Sequence, residues 1–254
     1  MAPRGKLSSG DPGVDRRIPV AYELQWHGQS LVYRPEAGQL ELWPPGRIPV
    51  WADERLPWPK VDIRPRALTL ALHRQCHLGC RYCYAGPRSP GGAVLSPALV
   101  RRAARLVAEN CRSLGLPLEL GFHGDNEPLL HPPRVEEQIA VVREVAVEIG
   151  VELRLSVTTS GFIPVETAHW AAATFDRLTL SHDGPFQDQQ RPTLAGGPSG
   201  PVLTRTWAIL GTAPRRGDLL IRATITRLNQ ARQVEMVEYF LDHGVVDRLL
   251  FHPG

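Results

Sequence analysis

The sequence predicts an α/β protein built on a parallel sheet, and three patterns carry that prediction. Six short β-rich runs recur after position 66, helical stretches separate them, and the residues before them alternate in a different way. The runs are ALTLALH (67–73), LELGFH (118–123), VELRLSVTT (151–159), DRLTLSHD (176–183), LLIRATITR (219–227) and RLLFH (248–252). A parallel connection takes a dozen or more residues, usually helical, which is the spacing seen between these runs.

The first helical stretch opens at Ser96, a good N-cap, with Pro97 suited to the first helical position and Gly115 placed as a C-terminal cap. Its apolar face runs Val100, Ala104, Val107, Cys111. Further helices are expected near 134–149, 165–174, 202–212 and 230–243, the first of these ending at Gly150 and the last at Gly244. Right-handed crossovers wind such a chain into either an open doubly wound sheet or a partial barrel, and periodicity is compatible with both. In both, chemistry gathers at the C-terminal ends of the strands.

Residues 1–17 mix Pro, Gly and charge without periodicity and read as a flexible tail. Between Ile18 and Val50, the segments AYELQWHGQSLVYR and GQLELWPPG alternate apolar and polar residues and are broken at turn signals, as in a small antiparallel hairpin or meander. A Pro-rich connector, Leu56 to Arg66, completes an appendage spanning 18–66, ahead of a core domain at 67–254.

With 43% hydrophobic and 22% charged residues, the composition is that of an ordinary globular protein. No apolar run approaches the roughly 18 residues that span a bilayer. Residues 1–17 also lack the apolar stretch of about 7–15 residues that marks a secretory signal, so a cytoplasmic protein is expected. The formal charge of +3 is small, and basic residues are interspersed with acidic ones. Neither a nucleic-acid nor a membrane partner is implied.

Of the four cysteines, three lie within eight residues, in the order Cys76-His-Leu-Gly-Cys80-Arg-Tyr-Cys83, just beyond the first run. Three thiolates on one loop can take three corners of a cubane iron-sulfur cluster and leave the fourth iron without a protein ligand. The competing reading is a zinc knuckle completed by His73 or His77, although closed zinc sites take four ligands and no second short-spaced pair is present. Cys111 falls on an apolar helix face and reads as a small core hydrophobe. His123 and His182 end strands facing the expected cavity, as polar wall residues or proton carriers. Gly196-Gly-Pro-Ser-Gly200 neither follows a strand nor carries a Lys, so it reads as a loop, not a phosphate-binding loop.

The C-x3-C-x-aromatic-C pattern of Cys76, Cys80, Tyr82 and Cys83 resembles the signature of the radical SAM superfamily. That resemblance covers about Ala67 to His252 and implies a partial (β/α)6 TIM-like barrel. It also implies a [4Fe-4S] cluster held by the three cysteines, whose open iron chelates S-adenosyl-L-methionine. Reductive cleavage would then yield a 5′-deoxyadenosyl radical that abstracts hydrogen from a substrate. Gly121-Phe-His-Gly124-Asp-Asn-Glu127-Pro resembles the family's Gly-Gly-Glu-Pro segment, with Asp125 and Asn126 standing where one glycine is usual and a one-residue bulge taking up the difference. By that resemblance Gly124 and Glu127 would meet the methionine ammonium, and Thr159 and Ser160 would lie near the ribose.

Ser181-His-Asp-Gly-Pro185 is similar to the Ser-x-Asp-Gly-Pro of the SPASM-type peptide-maturing branch, which includes anaerobic sulfatase-maturing enzymes. On that footing Ser181 and Arg191 would bind the methionine carboxylate, with Arg222 as the rival. The resemblance implies a peptide or protein substrate, such as a ribosomal precursor peptide, and a reducing donor such as flavodoxin or ferredoxin. No cysteines remain after Cys111 for a second cluster, so the SPASM extension is lacking: the chain is either a one-cluster enzyme or a piece of a longer one. No catalytic base is identified. A small-molecule substrate, and a non-catalytic relative with zinc or an empty cysteine site, are the alternatives.

Overall fold

A computed structural model describes residues 22–26, 29–34, 39–43, 64–85, 95–124, 126–244 and 247–253. The expected tail at 1–17, most of the 56–66 connector, and Asp125 with its expected bulge lie outside the described residues. The chain divides into two compact units, Met1–Asp62 and Ile63–Gly254. In the first, β1 (Tyr22–Trp26), β2 (Gln29–Arg34) and β3 (Gln39–Trp43) form an antiparallel meander in chain order. Its register pairs Leu24 with Leu31 and Leu31 with Leu42, so the alternation of the sequence runs in phase across all three strands.

The second unit holds six parallel strands in the order β4 (Ala67–Leu70), β5 (Leu118–Phe122), β6 (Leu153–Thr159), β7 (Arg177–Ser181), β8 (Asp218–Ile225) and β9 (Arg248–Pro253). Between them run α1 (Pro97–Leu114), α2 (Pro132–Ile149), α3 (Val165–Thr174), the short α4 (Gln187–Gln190), α5 (Gly200–Thr212) and α6 (Gln233–His243). A doubly wound sheet reverses its strand order at a switch point, whereas here the order never turns back. Same-handed crossovers that always advance in one direction place their helices on one face, which curls the sheet into a partial, unclosed barrel.

The two faces of the sheet differ in chemistry. Leu155 and Val157, Leu178 and Leu180, and Leu219, Ile221 and Ala223 are buried in the core with the helices. The intervening positions, Ser156 and Thr158, Thr179 and Ser181, and Arg222 and Thr224, point the other way by the two-residue period of a strand. Parallel strands covered on both faces are apolar throughout, so this alternation belongs to a sheet with one face on a polar interior.

Local chemistry sets the element ends. Ser96 accepts from the Leu99 amide and Gly115 adopts a left-handed φ of 64°, closing α1 at both ends. The run predicted from Val151 begins as strand only at Leu153, because the Gly150 and Val151 amides both return to the carbonyl of Ala146 and complete the cap of α2. Helix α2 starts two residues earlier than its periodicity suggested, with Pro132 and Pro133 in a first turn that needs no amide donors. Cys111 is fully buried, in keeping with its core reading, and its thiol lies 3.4 Å from the Arg66 carbonyl.

Three strands are tied at the N-terminal end of the barrel by Asp176, whose carboxylate accepts from the Leu155 amide at 2.8 Å and from Arg216 Nε at 2.7 Å. The Asp218 amide reaches the Asp176 carbonyl at 3.1 Å, and a Cβ on Gly217 would sit 1.9 Å from that same oxygen. Only a residue without a side chain lets β8 approach β7 this closely. Gly217→Ala is therefore expected to cost about 2 kcal/mol of stability through overpacking against backbone, read as a lowered urea midpoint.

Candidate active site

Strand β4 ends at Leu70, and the chain then turns through a loop carrying Cys76, Cys80 and Cys83, each half-buried. Two segments hold this loop through its backbone. On one side Leu78 bridges Thr193 in antiparallel fashion, the Gly79 amide donates to the Pro192 carbonyl at 2.8 Å, and the Arg81 amide to the Gln190 carbonyl at 2.9 Å. On the other, the Glu127 amide donates to the Gln75 carbonyl at 2.8 Å and Asn126 Nδ2 to the His73 carbonyl at 2.7 Å. Asn126, which stands where the resembling motif has glycine, thus fastens the cysteine loop to the end of β5.

The three cysteines line one cavity of about 450 Å³ at the C-terminal ends of the strands. Tyr82, Gly124, Thr159, Ser160, Ser181, Arg191 and Arg222 line the same cavity, so seven of the eight residues expected to contact a cofactor are brought together with the thiols. Glu127 is the eighth, and it stands behind the wall. Its carboxylate, 1% exposed, accepts from the Leu129 amide at 3.1 Å, the Thr159 hydroxyl at 2.8 Å, and both the amide and the hydroxyl of Ser160. It fixes the Thr159–Ser160 turn, which continues into Gly161 at a φ of 77°.

A buried polar chain runs behind the cysteines. Arg191 Nη1 donates to the Tyr82 hydroxyl at 3.2 Å, and that hydroxyl donates to Asp183 Oδ2 at 2.8 Å. Asp183 Oδ1 accepts from the Thr224 amide at 2.8 Å, joining the cysteine loop to β8. Burial pushes the Asp183 carboxyl above its ordinary range, against the pull of Arg191, the Thr224 amide and Tyr82. Burial likewise pushes the Cys80 thiol up; the Arg191 guanidinium opposes this, while Cys76, Cys83 and Asp183 add to it. Sulfurs whose charges act on one another in this way resist losing their protons together unless cations join them, which is the demand a metal cluster meets.

The donor set and its surroundings fit such a group. Among the described residues no three His, Cys, Asp or Glu side chains converge on a single metal-ion position. His73 Nδ1 accepts from the Gln75 amide at 3.1 Å, and the His77 ring packs against Phe162, so each of the two expected zinc partners has a neighbour of its own in the fold. Arg191, 6% exposed, keeps a buried Nε without a hydrogen-bond partner at the cavity wall, as an anion-binding guanidinium would.

His182 corrects the sequence reading. Ser181 faces the cavity, so the next residue faces the helices, where His182 is fully buried among Trp207, Tyr239 and Phe240. Its Nδ1 accepts from the Gly184 amide at 2.9 Å. His123 and Thr158 line the cavity, as do Thr224, Asn126 and His252, which sequence reasoning did not assign. Asp183 was missed as the hub of the polar chain. The signal was available, since it is the one carboxylate in the turn that closes the fourth run.

A model of the Radical SAM superfamily matches residues 70–206 of the chain. No curated protein matches the sequence. Among solved structures, the anaerobic sulfatase-maturing enzyme anSMEcpe with bound AdoMet and Cp18Cys peptide is similar at 18% identity and a TM-score of 0.61, over 74% of this chain and 50% of that one. SuiB of Streptococcus suis bound to the precursor peptide SuiA is similar at 15% identity and a TM-score of 0.50, over 74% and 39%. A radical SAM methyltransferase from Sphaerobacter thermophilus aligns over 91% of this chain and 64% of that one, at 16% identity and a TM-score of 0.51. At these identities the likeness is one of fold, and the alignment spans half the length of the first of these structures.

Two outcomes follow from the buried groups. Glu127→Gln places an amide where four donors point, and is expected to cost about 2 kcal/mol in urea unfolding, the weight of hydrogen bonds to a charged acceptor. His182 is pushed down to about 3, first by burial and then by the charges of Arg191 and His243, so it stays neutral in the folded chain while an unfolded histidine protonates below about 6.5. Stability contributed here is full above that pH and falls as pH drops toward 3. Between pH 7 and 5 the protein should lose about 2 kcal/mol more than His182→Leu in parallel urea titrations.

Proposed function

The chain belongs to the radical SAM superfamily, and from that premise we propose that it is a radical S-adenosylmethionine enzyme acting on a peptide or protein. Cys76, Cys80 and Cys83 would hold a [4Fe-4S] cluster. When bound, such a cluster supplies the electron that cleaves S-adenosylmethionine to a 5′-deoxyadenosyl radical, which takes hydrogen from the substrate. The observation that carries the reading is the gathering of three backbone-held thiols and the buried, incompletely satisfied Arg191 around one cavity.

The chain's own residues divide the work. Arg191 stands beside Cys80 and Ser181 opens onto the same space, which suits them to the methionine carboxylate; a guanidinium binds a carboxylate through two parallel hydrogen bonds. Gly124 and Asn126 present the end of β5 to the ammonium side, and Glu127 acts from behind by orienting Thr159 and Ser160 at the ribose. Tyr82 is held by Arg191 and Asp183, so the aromatic between the second and third cysteines cannot swing into the cavity. Substrate hydrogen must be presented to a fixed point, and this layer of hydrogen bonds supplies the rigidity.

A peptide substrate is supported by Ser181 to Pro185 and by the peptides present in two similar structures, anSMEcpe and SuiB. A reducing protein such as flavodoxin or ferredoxin would deliver the electron. No helix among the described residues is long and apolar enough to cross a membrane. Anaerobic reconstitution with iron and sulfide should give a brown protein that forms 5′-deoxyadenosine from S-adenosylmethionine and dithionite, with none from a triple Cys76, Cys80, Cys83 to Ala variant. A protein that takes up zinc in place of iron, or an intact cluster that leaves S-adenosylmethionine uncleaved, would overturn the proposal.

A further inference from the structure

Two arginines line the cavity, and they differ in what they touch. Arg191 is buried, donates to Tyr82, and its charge acts on Cys80 and Asp183. Arg222 sits on the concave face of β8, opposite Ser181 in the strand register, and its side chain is exposed. Among the described residues that side chain makes no ion pair or hydrogen bond. Its charge is not among those acting on Cys80; it acts on His123 and, last of the charges there, on Asp183.

Among the described residues no Asp or Glu lines the cavity. Two buried carboxylates behind the cavity wall are engaged elsewhere, Glu127 by Thr159, Ser160 and Leu129, and Asp183 by Tyr82 and the Thr224 amide. His123 lines the same wall, exposed, with Thr69 Oγ1 at 3.5 Å from its Nε2 as its one loose neighbour. Burial and then the charge of Arg222 hold its imidazole below the ordinary histidine range, so it stays neutral near pH 7 and offers one N–H.

We propose, resting on the function just given, that Arg222 and His123 form the substrate-recognition end of the cavity and that the group they take is a carboxylate, from an Asp or Glu side chain of the peptide. While the cavity is open, Arg222 is hydrated and carries no desolvation penalty. When a peptide displaces that water, a carboxylate pairs with the planar guanidinium fork and accepts from His123. A lysine there leaves two cations facing each other as water leaves, and an amide leaves the guanidinium unpaired, so discrimination comes from repulsion as well as attraction.

Retention of the full chain on arrays of decapeptides, randomised except for a fixed central Asp, Glu, Asn, Gln or Lys, tests this without S-adenosylmethionine or reductant. A failed cleavage assay and a failed charge preference are therefore separate results. At 150 mM salt, Asp and Glu arrays should retain the protein about fivefold better than their amide counterparts, the weight of one partly screened ion pair. Arg222→Gln should erase that ratio, and Arg222→Glu should reverse it in favour of Lys. Arg143→Glu, which changes the net charge equally from the exposed face of α2, should leave it as it was. Equal retention on acidic and amide arrays, an unaltered ratio in Arg222→Gln, or an equal loss in Arg143→Glu would overturn the proposal.

Discussion

Sulfur atoms offered to a metal cluster cannot also hold the loop that carries them, so the hold must come from the backbone between them. The amides of Gly79 and Arg81 and the carbonyls of His73 and Gln75 supply it, gripped from one side by residues 190–192 and from the other by Asn126 and Glu127. Both gripping segments follow strands of the barrel, so the spacing of the cysteines is inherited from the sheet. Tyr82, Asp183 and Thr224 extend that hold inward to β8. Everything proposed for the site presupposes that these hydrogen bonds keep one geometry.

Much of the architecture was legible because the physics behind it is local. Ser96, Pro97 and Gly115 announce a helix through cap chemistry that involves only neighbouring residues, and the structure places α1 between them. The six runs could be read as strands from β-rich composition and spacing. The choice between an open sheet and a barrel was not legible in that way, although Leu or Val alternates with Ser or Thr from 155 to 158 and from 178 to 181. That alternation carries the information only once one knows that the helices all lie on a single face.

What escaped sequence reading depends on partners far along the chain. Glu127 was expected to face a ligand, yet Thr159 and Ser160, more than thirty residues away, claim its carboxylate. Whether His182 looked into the cavity turned on where β7 ended and which residue had the inward position. A shift of one residue in a period of two exchanges the two sides. Asp183 was visible as a carboxylate in a turn, but its hub role requires the Tyr82 hydroxyl, a hundred residues earlier, to arrive at 2.8 Å.

A sealed barrel sets its own girth, since strand number and stagger fix the diameter once the last strand meets the first. Among the described residues β4 pairs only with β5 and β9 only with β8, and no ladder joins the two ends. The interior is thus bounded by a slot, not a ring, and its width answers to the packing of the helices behind it.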